Sequence, residues 1–200
     1  MPYLNGPARE ISFKIVYYGA AMSGKTTNLL YIHKALADET KGEMVMLDTE
    51  EERTLFFDFF PIYLGTIEGF RLRFNMYTVP GQVIYEASRK LIVNGADAVV
   101  FVVDSQASRL DDNVESWRSL TSNLRLHNVD AAQQAIVIQY NKRDLNPKID
   151  VGTIERAAGL AGIPVFESIA TQGVGVMDTL KKVSIMMIQR FSTVSLGVGE

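Results

Sequence analysis

Residues 19–26 read Gly-Ala-Ala-Met-Ser-Gly-Lys-Thr, which matches the phosphate-binding pattern GxxxxGK[ST] without a gap. A strand-like apolar run over residues 11–18 precedes this stretch, and a helix is predicted over residues 24–37. Phosphate binding requires this order, because the N–H groups of a tight glycine loop and the positive end of the next helix face the phosphates together. Lys25 is predicted to reach the β- and γ-phosphates, and the Thr26 hydroxyl is predicted to coordinate Mg²⁺. The predicted phosphate-binding residues are Gly19, Ala20, Ala21, Met22, Ser23, Gly24, Lys25, Thr26 and Thr27.

Apolar runs alternate with helix-like segments along the rest of the chain. Further strands are predicted over residues 43–48, 70–79, 97–104, 135–140 and 164–167, and further helices over 84–94, 110–126, 151–161 and 176–191. This alternation predicts an α/β fold with a mostly parallel sheet and helices on both faces. Residues 70–79 alternate apolar and polar side chains, which favours an antiparallel edge strand with one wet face. We expect one domain over residues 1–200, with a frayed tail from about residue 192.

Composition excludes several classes of function. The net charge is -3, with Lys and Arg spread along the chain, so no basic face for nucleic acid is expected. The chain contains no cysteine, which excludes disulfides, zinc-thiolate sites, thiol nucleophiles, prenylation and palmitoylation. Pro2 excludes an N-terminal myristoyl glycine, and neither a signal peptide nor a spanning apolar run is found. We expect a cytoplasmic protein without a direct membrane anchor, which a partner would have to carry to a membrane.

The segment Asn141-Lys142-Arg143-Asp144 follows an apolar strand, at the edge of a parallel sheet where ligands bind. The Asp144 carboxylate is suited to accept hydrogen bonds from guanine N1–H and the exocyclic amine, a donor pair that adenine lacks. The Lys142 stem is predicted to lie along the purine face, and Asn141 to tie this segment to the phosphate-binding loop. After the last short strand, a backbone N–H is predicted to reach the guanine carbonyl oxygen from one of Ser168, Ile169 and Ala170.

Pro80-Gly81-Gln82 follows the strand that is predicted to end at Val79. The Gly81 N–H is predicted to approach a γ-phosphate closely, since a side chain would obstruct it. Gln82 is predicted to orient the attacking water, as glutamine does in this class of hydrolase. A Pro-Gly turn with an exposed glutamine is the alternative interpretation, and the two other motifs favour the functional one.

Over residues 9–95 the chain resembles the bacterial mutual gliding-motility small Ras-like GTPase family (MglA type). The resemblance rests on REISFKIVYYG, SGKTTNL, ERTLFFDFFP, GFRLRFNMYTVPGQVIYEASRKLIVNGAD and, further along, VIQYNKRDL. The run TVPGQ together with SRKLI is specific to this family rather than to small GTPases in general. The resemblance implies a Ras-like P-loop NTPase fold, GTP/GDP cycling, and a role in cell polarity or gliding motility.

The resemblance also implies site residues and partners. Thr54 matches the switch threonine that reaches Mg²⁺ and the γ-phosphate, and Arg53 matches an arginine finger that the family supplies from its own chain. Such a positive charge contributes about 10³–10⁵ to the rate. The implied partner is a dimeric Roadblock/LC7-type protein that activates hydrolysis, together with polarity or motility effectors.

Two positions depart from the pattern of Ras-like proteins. Thr78 stands where an Asp normally holds Mg²⁺ through water, which leaves Asp48 and Asp104 as unproven alternatives. Ala21 stands where the family usually has glycine, and its methyl group is expected to crowd the space that Gln82 needs for hydrolysis. We therefore expect slow GTP hydrolysis, with a GTP-bound scaffold of negligible turnover as the alternative. An ATP-dependent small-molecule kinase is a third interpretation, which the predicted guanine recognition disfavours.

Overall fold

The computed structural model describes residues 2–46, 57–129, 134–159 and 161–195. Within them, the strands are β1 Tyr3–Asn5, β2 Glu10–Tyr18, β3 Val45–Met46, β4 Asp58–Ile67, β5 Phe70–Thr78, β6 Ala98–Asp104, β7 Ala135–Asn141 and β8 Val165–Glu167. The α-helices are α1 Lys25–Ala35, α2 Glu86–Val93, α3 Leu110–Leu126, α4 Thr153–Ala158 and α5 Val176–Ser195. Short 3₁₀ turns cover Asp38–Thr40, Val83–Tyr85 and Ala107–Arg109.

The strands form one sheet in the order β3-β4-β5-β2-β6-β7-β8, with β1 paired to the start of β2. Strands β5, β2, β6, β7 and β8 run parallel to one another, and β4 lies antiparallel to β5 at one edge, where it also pairs with β3. The predicted α/β fold, with a mostly parallel sheet and antiparallel pairing at one edge, is confirmed.

The position of that edge strand was predicted wrongly. Residues 70–78 form the interior strand β5, which is parallel to β2, whereas the antiparallel neighbour is β4, in a segment with no predicted strand. The alternation misled because β5 buries Leu72, Phe74 and Met76 while its other face is only partly covered. A half-covered face produces the same period of two whether the strand lies inside a sheet or at its edge.

Each face of the sheet carries a separate apolar core. One core joins the inward side chains of β2 and β5 to α1 and α5, and the other joins β6 and β7 to α2, α3 and α4. The last helix contributes a buried stripe of Val176, Leu180, Val183 and Met187, as its helical spacing predicts. Helix α5 continues to Ser195, four residues beyond the predicted end of this helix at residue 191.

The parallel strands bring their carboxyl ends to one edge of the sheet, where the loops after β2, β7 and β8 converge. Strand β2 ends at Tyr18 and α1 begins at Lys25, so residues 19–24 form the connecting loop. The fold thus brings together the sequence motifs at residues 19–26, 141–144 and 168–170. Of the helices described, none has both the length and the apolar character needed to cross a membrane.

Candidate nucleotide-binding site

Lys25 lies beneath the phosphate-binding loop, which we define as residues 19–26. Its side chain is nearly buried, with 7% of the residue's surface exposed. Its Nζ donates to the carbonyls of Gly19 at 3.0 Å and Ala20 at 2.7 Å. Burial lowers the pKa of Lys25 to about 7; the nearby positive charge of Arg89 lowers this pKa further, and Asp58 opposes the shift. An anion in this loop would restore the charge of the lysine.

Donors from outside the loop hold two further loop carbonyls. Ala21 accepts a hydrogen bond from Arg109 at 2.9 Å, and Ser23 accepts one from Asn141 at 2.8 Å. The loop N–H groups without a protein partner among the described residues include those of Met22, Gly24, Lys25 and Thr26. A loop that turns its carbonyls towards donors and leaves N–H groups free is suited to surround an anion.

Two glycines are required by close approach. Gly24 has φ 100°, and a Cβ there would lie 2.2 Å from Nδ2 of Asn141. A Cβ on Gly81 would lie 2.4 Å from both Cα and N of Ala21. The segment after β5 therefore packs directly on the phosphate-binding loop, and any larger residue at position 81 would force the two apart.

Asp58, at the start of β4, is the carboxylate next to the predicted magnesium ligand Thr26. The Thr26 hydroxyl donates to Oδ2 of Asp58 at 2.6 Å, and the Thr78 hydroxyl donates to the same oxygen at 3.0 Å. The backbone N–H of Asp58 donates in return to Oγ1 of Thr78 at 2.8 Å. Asp58 is thus a carboxylate beside Thr26 that the sequence analysis did not identify, and the absence of an Asp at position 78 was the only signal for it.

Two other carboxylates were candidates for this place on the sequence alone. Asp48 lies outside the described residues. Asp104 is 1% exposed, and its Oδ2 accepts a hydrogen bond from Nζ of Lys142 at 2.7 Å. Its Oδ1 accepts from the backbone N–H of Gln106 at 3.1 Å. Asp104 is therefore paired with the predicted base-binding segment, and its assignment as a metal ligand is not supported.

Asn141 connects the base side of the site to the phosphate side. Its amide group donates to Ser23, as described, while its Oδ1 accepts from the N–H of Ala170 at 2.9 Å and the hydroxyl of Ser168 at 3.1 Å. The predicted tie between these segments is present. Asp144 is exposed on the turn that follows.

The backbone N–H groups of Ser168, Ile169 and Ala170 all have protein acceptors. These are the carbonyls of Tyr140 and Val174 and the side chain of Asn141. Any of the three would have to exchange its partner to reach a guanine carbonyl, and Ala170, whose acceptor is a side chain, requires the smallest change.

Gln82 is exposed at the mouth of a cleft of about 290 Å³ between the phosphate-binding loop, α2 and α3. Arg89 of α2 also lines this cleft; it is 3% exposed and paired with Glu86. Glu86 accepts a hydrogen bond from Ser119 of α3 at 3.1 Å, which fixes α2 against α3. The predicted switch residues Arg53 and Thr54 lie outside the described residues.

Comparison with known proteins places this arrangement in a family. Residues 4–187 match the ADP-ribosylation factor family. The chain is 51% identical, over 188 residues, to the mutual gliding-motility protein MglA of Myxococcus xanthus (strain DK1622). That alignment covers 94% of this chain and 96% of the Myxococcus protein.

Proposed function

Because this chain belongs to the ADP-ribosylation factor family and is a small Ras-like GTPase of the mutual gliding-motility (MglA) type, we propose that it is a guanine-nucleotide switch of cell polarity or gliding motility. The observation that carries this proposal is the phosphate-binding loop, in which side chains hold carbonyl groups while several N–H groups have no protein partner among the described residues. Asn141 joins this loop to the base side, so one ligand would contact both.

Guanine recognition is assigned to Asp144, with the Lys142 stem along the purine face. Asp144 is exposed next to the segment that Asn141 anchors, where its carboxylate oxygens can accept hydrogen bonds from the two guanine donors. A base without that donor pair would leave the carboxylate unpaired once it is covered. The loop at residues 168–170 would supply the contact to the guanine carbonyl.

The donor set beside Thr26 fits Mg²⁺, which prefers oxygen ligands and retains several waters. When bound, Mg²⁺ neutralises charge that develops on the phosphates. Thr26 would hold the metal directly, Asp58 would hold it directly or through water, and Thr54 would complete the set in the GTP state. Among the described residues no cluster of three His, Asp or Glu side chains approaches a common point, which suits a metal held largely by phosphate and water.

For hydrolysis, Gln82 would orient the attacking water and Arg53 would stabilise the transition state. Gln82 is exposed next to the loop and free to turn towards it. Slow turnover is proposed because the methyl group of Ala21, at a position where the family usually has glycine, would take space on the γ-phosphate side of the loop. The segment with Gly81 packs closely on the Ala21 backbone, so the loop has little room to move away.

The methyl group of Ala21 also favours a second candidate, a GTP-bound scaffold that recruits effectors with negligible turnover. The two candidate functions differ in the rate of GTP hydrolysis. Single-turnover hydrolysis should be slow for the protein alone and accelerated by a dimeric Roadblock/LC7-type protein if the first proposal holds. No acceleration by any such dimer, with tight GTP binding retained, would favour the scaffold.

The nucleotide assignment is tested separately from turnover. Protein purified without added nucleotide is denatured, and the released nucleotide is identified by chromatography. We expect GDP or GTP, and we expect GTP but not ATP at millimolar excess to displace a fluorescent GDP. Equal displacement by ATP would contradict guanine recognition. We further propose that the protein is cytoplasmic and reaches a cell pole through partners.

A further inference from the structure

Arg109, the residue before α3, lies against the phosphate-binding loop and contacts one loop carbonyl and two carboxylates. Its Nη2 donates to the Ala21 carbonyl at 2.9 Å, and its Nη1 pairs with Asp112 at 2.5 Å. Its Nε lies 3.9 Å from the Asp104 carboxylate. A guanidinium is a rigid planar fork, so contacts on three sides fix its position more firmly than one contact would.

The bond to Ala21 determines the orientation of the next peptide group. A trans peptide is planar, with its C=O and N–H pointing in opposite directions. Since the Ala21 carbonyl points to Arg109, the N–H of Met22 points away from α3, and it has no protein partner among the described residues. If this peptide turned over, a carbonyl instead of an N–H would face the bound phosphates.

Met22 also needs an external contact to keep its conformation. Its φ is 63°, a left-handed value that is unfavourable for a residue with a Cβ. Its side chain is 84% exposed, so side-chain packing does not hold it there. The hydrogen bond from Arg109 to the preceding carbonyl is a contact that offsets this strain.

The charge of Arg109 is already compensated. Asp112 pairs with the guanidinium, and the Asp104 carboxylate lies 3.9 Å from its Nε, so two carboxylates face the positive charge. The hydrogen bond to the loop goes to the Ala21 carbonyl, so the contribution of Arg109 passes through the loop backbone.

We propose that Arg109 is a positioning residue that holds the peptide between Ala21 and Met22 with its N–H towards the β-phosphate of a guanine nucleotide. This inference rests on the proposed function, because it assumes that the loop binds a guanine nucleotide. It deepens that function by assigning to α3 a specific contribution to di- and triphosphate affinity.

The test compares Arg109→Gln with wild type using GDP and GMP, each in competition with a fluorescent GDP. We expect the affinity for GDP to fall about tenfold, which corresponds to about 1.4 kcal/mol and to the low end for a hydrogen bond from a charged donor. GMP affinity should change less than about twofold, because GMP lacks the β-phosphate that the Met22 N–H would contact. Asp111→Asn is the matched control, since Asp111 is an exposed carboxylate in the first turn of α3 and should leave both affinities unchanged.

Arg109→Lys is measured in parallel and keeps the charge with a single donor group. Arg109→Lys should show the same selective loss of GDP affinity to a smaller extent. If thermal unfolding shows that Arg109→Gln does not fold, the comparison of GDP and GMP is made with Arg109→Lys instead. Equal losses for GMP and GDP would overturn the proposal, because they would indicate a loosened base side through Asp104. Unchanged GDP affinity would overturn it as well. If wild type binds neither nucleotide, the proposed function itself fails, which is a distinct result.

Discussion

Replacing Asp58 by Asn should weaken Mg²⁺ binding more than it lowers the stability of the folded protein. Asp58 accepts hydrogen bonds from Thr26 at 2.6 Å and from Thr78 at 3.0 Å. An asparagine of the same size keeps an oxygen that can accept from both hydroxyls. The free energy of unfolding without nucleotide should therefore fall by about 1 kcal/mol, the difference between hydrogen bonds to a charged and to a neutral acceptor.

Magnesium binding should lose much more, because the substitution removes a full negative charge beside a dication. Loss of a carboxylate that supports a metal site typically lowers metal affinity about 10–100-fold. This range corresponds to about 1.4–2.7 kcal/mol. The effect on Mg²⁺ affinity should thus exceed the effect on stability.

The assay is the release of a fluorescent GDP at increasing free Mg²⁺, with EDTA as the metal-free reference. The Mg²⁺ concentration at which release slows by half should rise about 10–100-fold in Asp58→Asn. Thr26→Ala should raise it as well, and neither variant should change release in EDTA. Asp111→Asn, an exposed carboxylate in the first turn of α3, is the control and should behave as wild type. If Thr26→Ala shifts this midpoint and Asp58→Asn leaves it within about twofold of wild type, the assignment of Asp58 is refuted.

Three further changes test the phosphate loop and the base side. Ala21→Gly should raise single-turnover GTP hydrolysis about tenfold with little change in GTP affinity; an unchanged rate, with Gln82→Ala still slowing it, would show that Ala21 is harmless. Asp144→Asn should shift preference from guanine towards xanthine nucleotides, measured by competition; retained guanine selectivity would contradict the assignment. Because burial lowers the pKa of Lys25 to about 7 and bound phosphates would raise it, calorimetry near pH 8.5 in buffers of different ionisation heat should detect uptake of about one proton on GDP binding. The lowered pKa of Lys25 also predicts that the free energy of unfolding of the nucleotide-free protein rises from about pH 7 towards pH 10. Over this range the unfolded lysine, with a pKa of 10.5, holds a proton that the folded lysine has released. Lys25→Met should remove both the proton uptake and this pH dependence.

Most of the elements follow from sequence patterns. The near-continuous apolar runs at residues 97–104 and 135–140 correspond to the central strands β6 and β7, and Leu110–Leu126 matches the predicted helix at both ends. These elements are long or fully buried, so their periodicity is strong. Strand β4 was missed because Pro61 and Gly65 interrupt a run that only its pairing with β5 makes into a strand.

The base side of the site has contacts that the sequence could predict only in part. The motif at residues 141–144 identifies Asn141 as a tie, and the structure has that tie. The sequence could not indicate that Ser168, Ile169 and Ala170 already donate their N–H groups to other residues. Those acceptors come from other parts of the chain, and no local pattern reports which acceptor a loop N–H will meet.

By itself, the sequence determined the phosphate-binding loop, its strand and helix, and the segment that follows β7, because contiguous residues in a fixed order produce that chemistry. The tertiary structure alone decided that Asp58, 32 residues from Thr26, supplies the nearby carboxylate, and that Arg109, 88 residues from Ala21, holds the loop carbonyl. Such contacts depend on which strands pair and which helix covers them. The pairing is fixed by burial over the whole sheet, a sum over many distant residues that no single stretch of sequence contains.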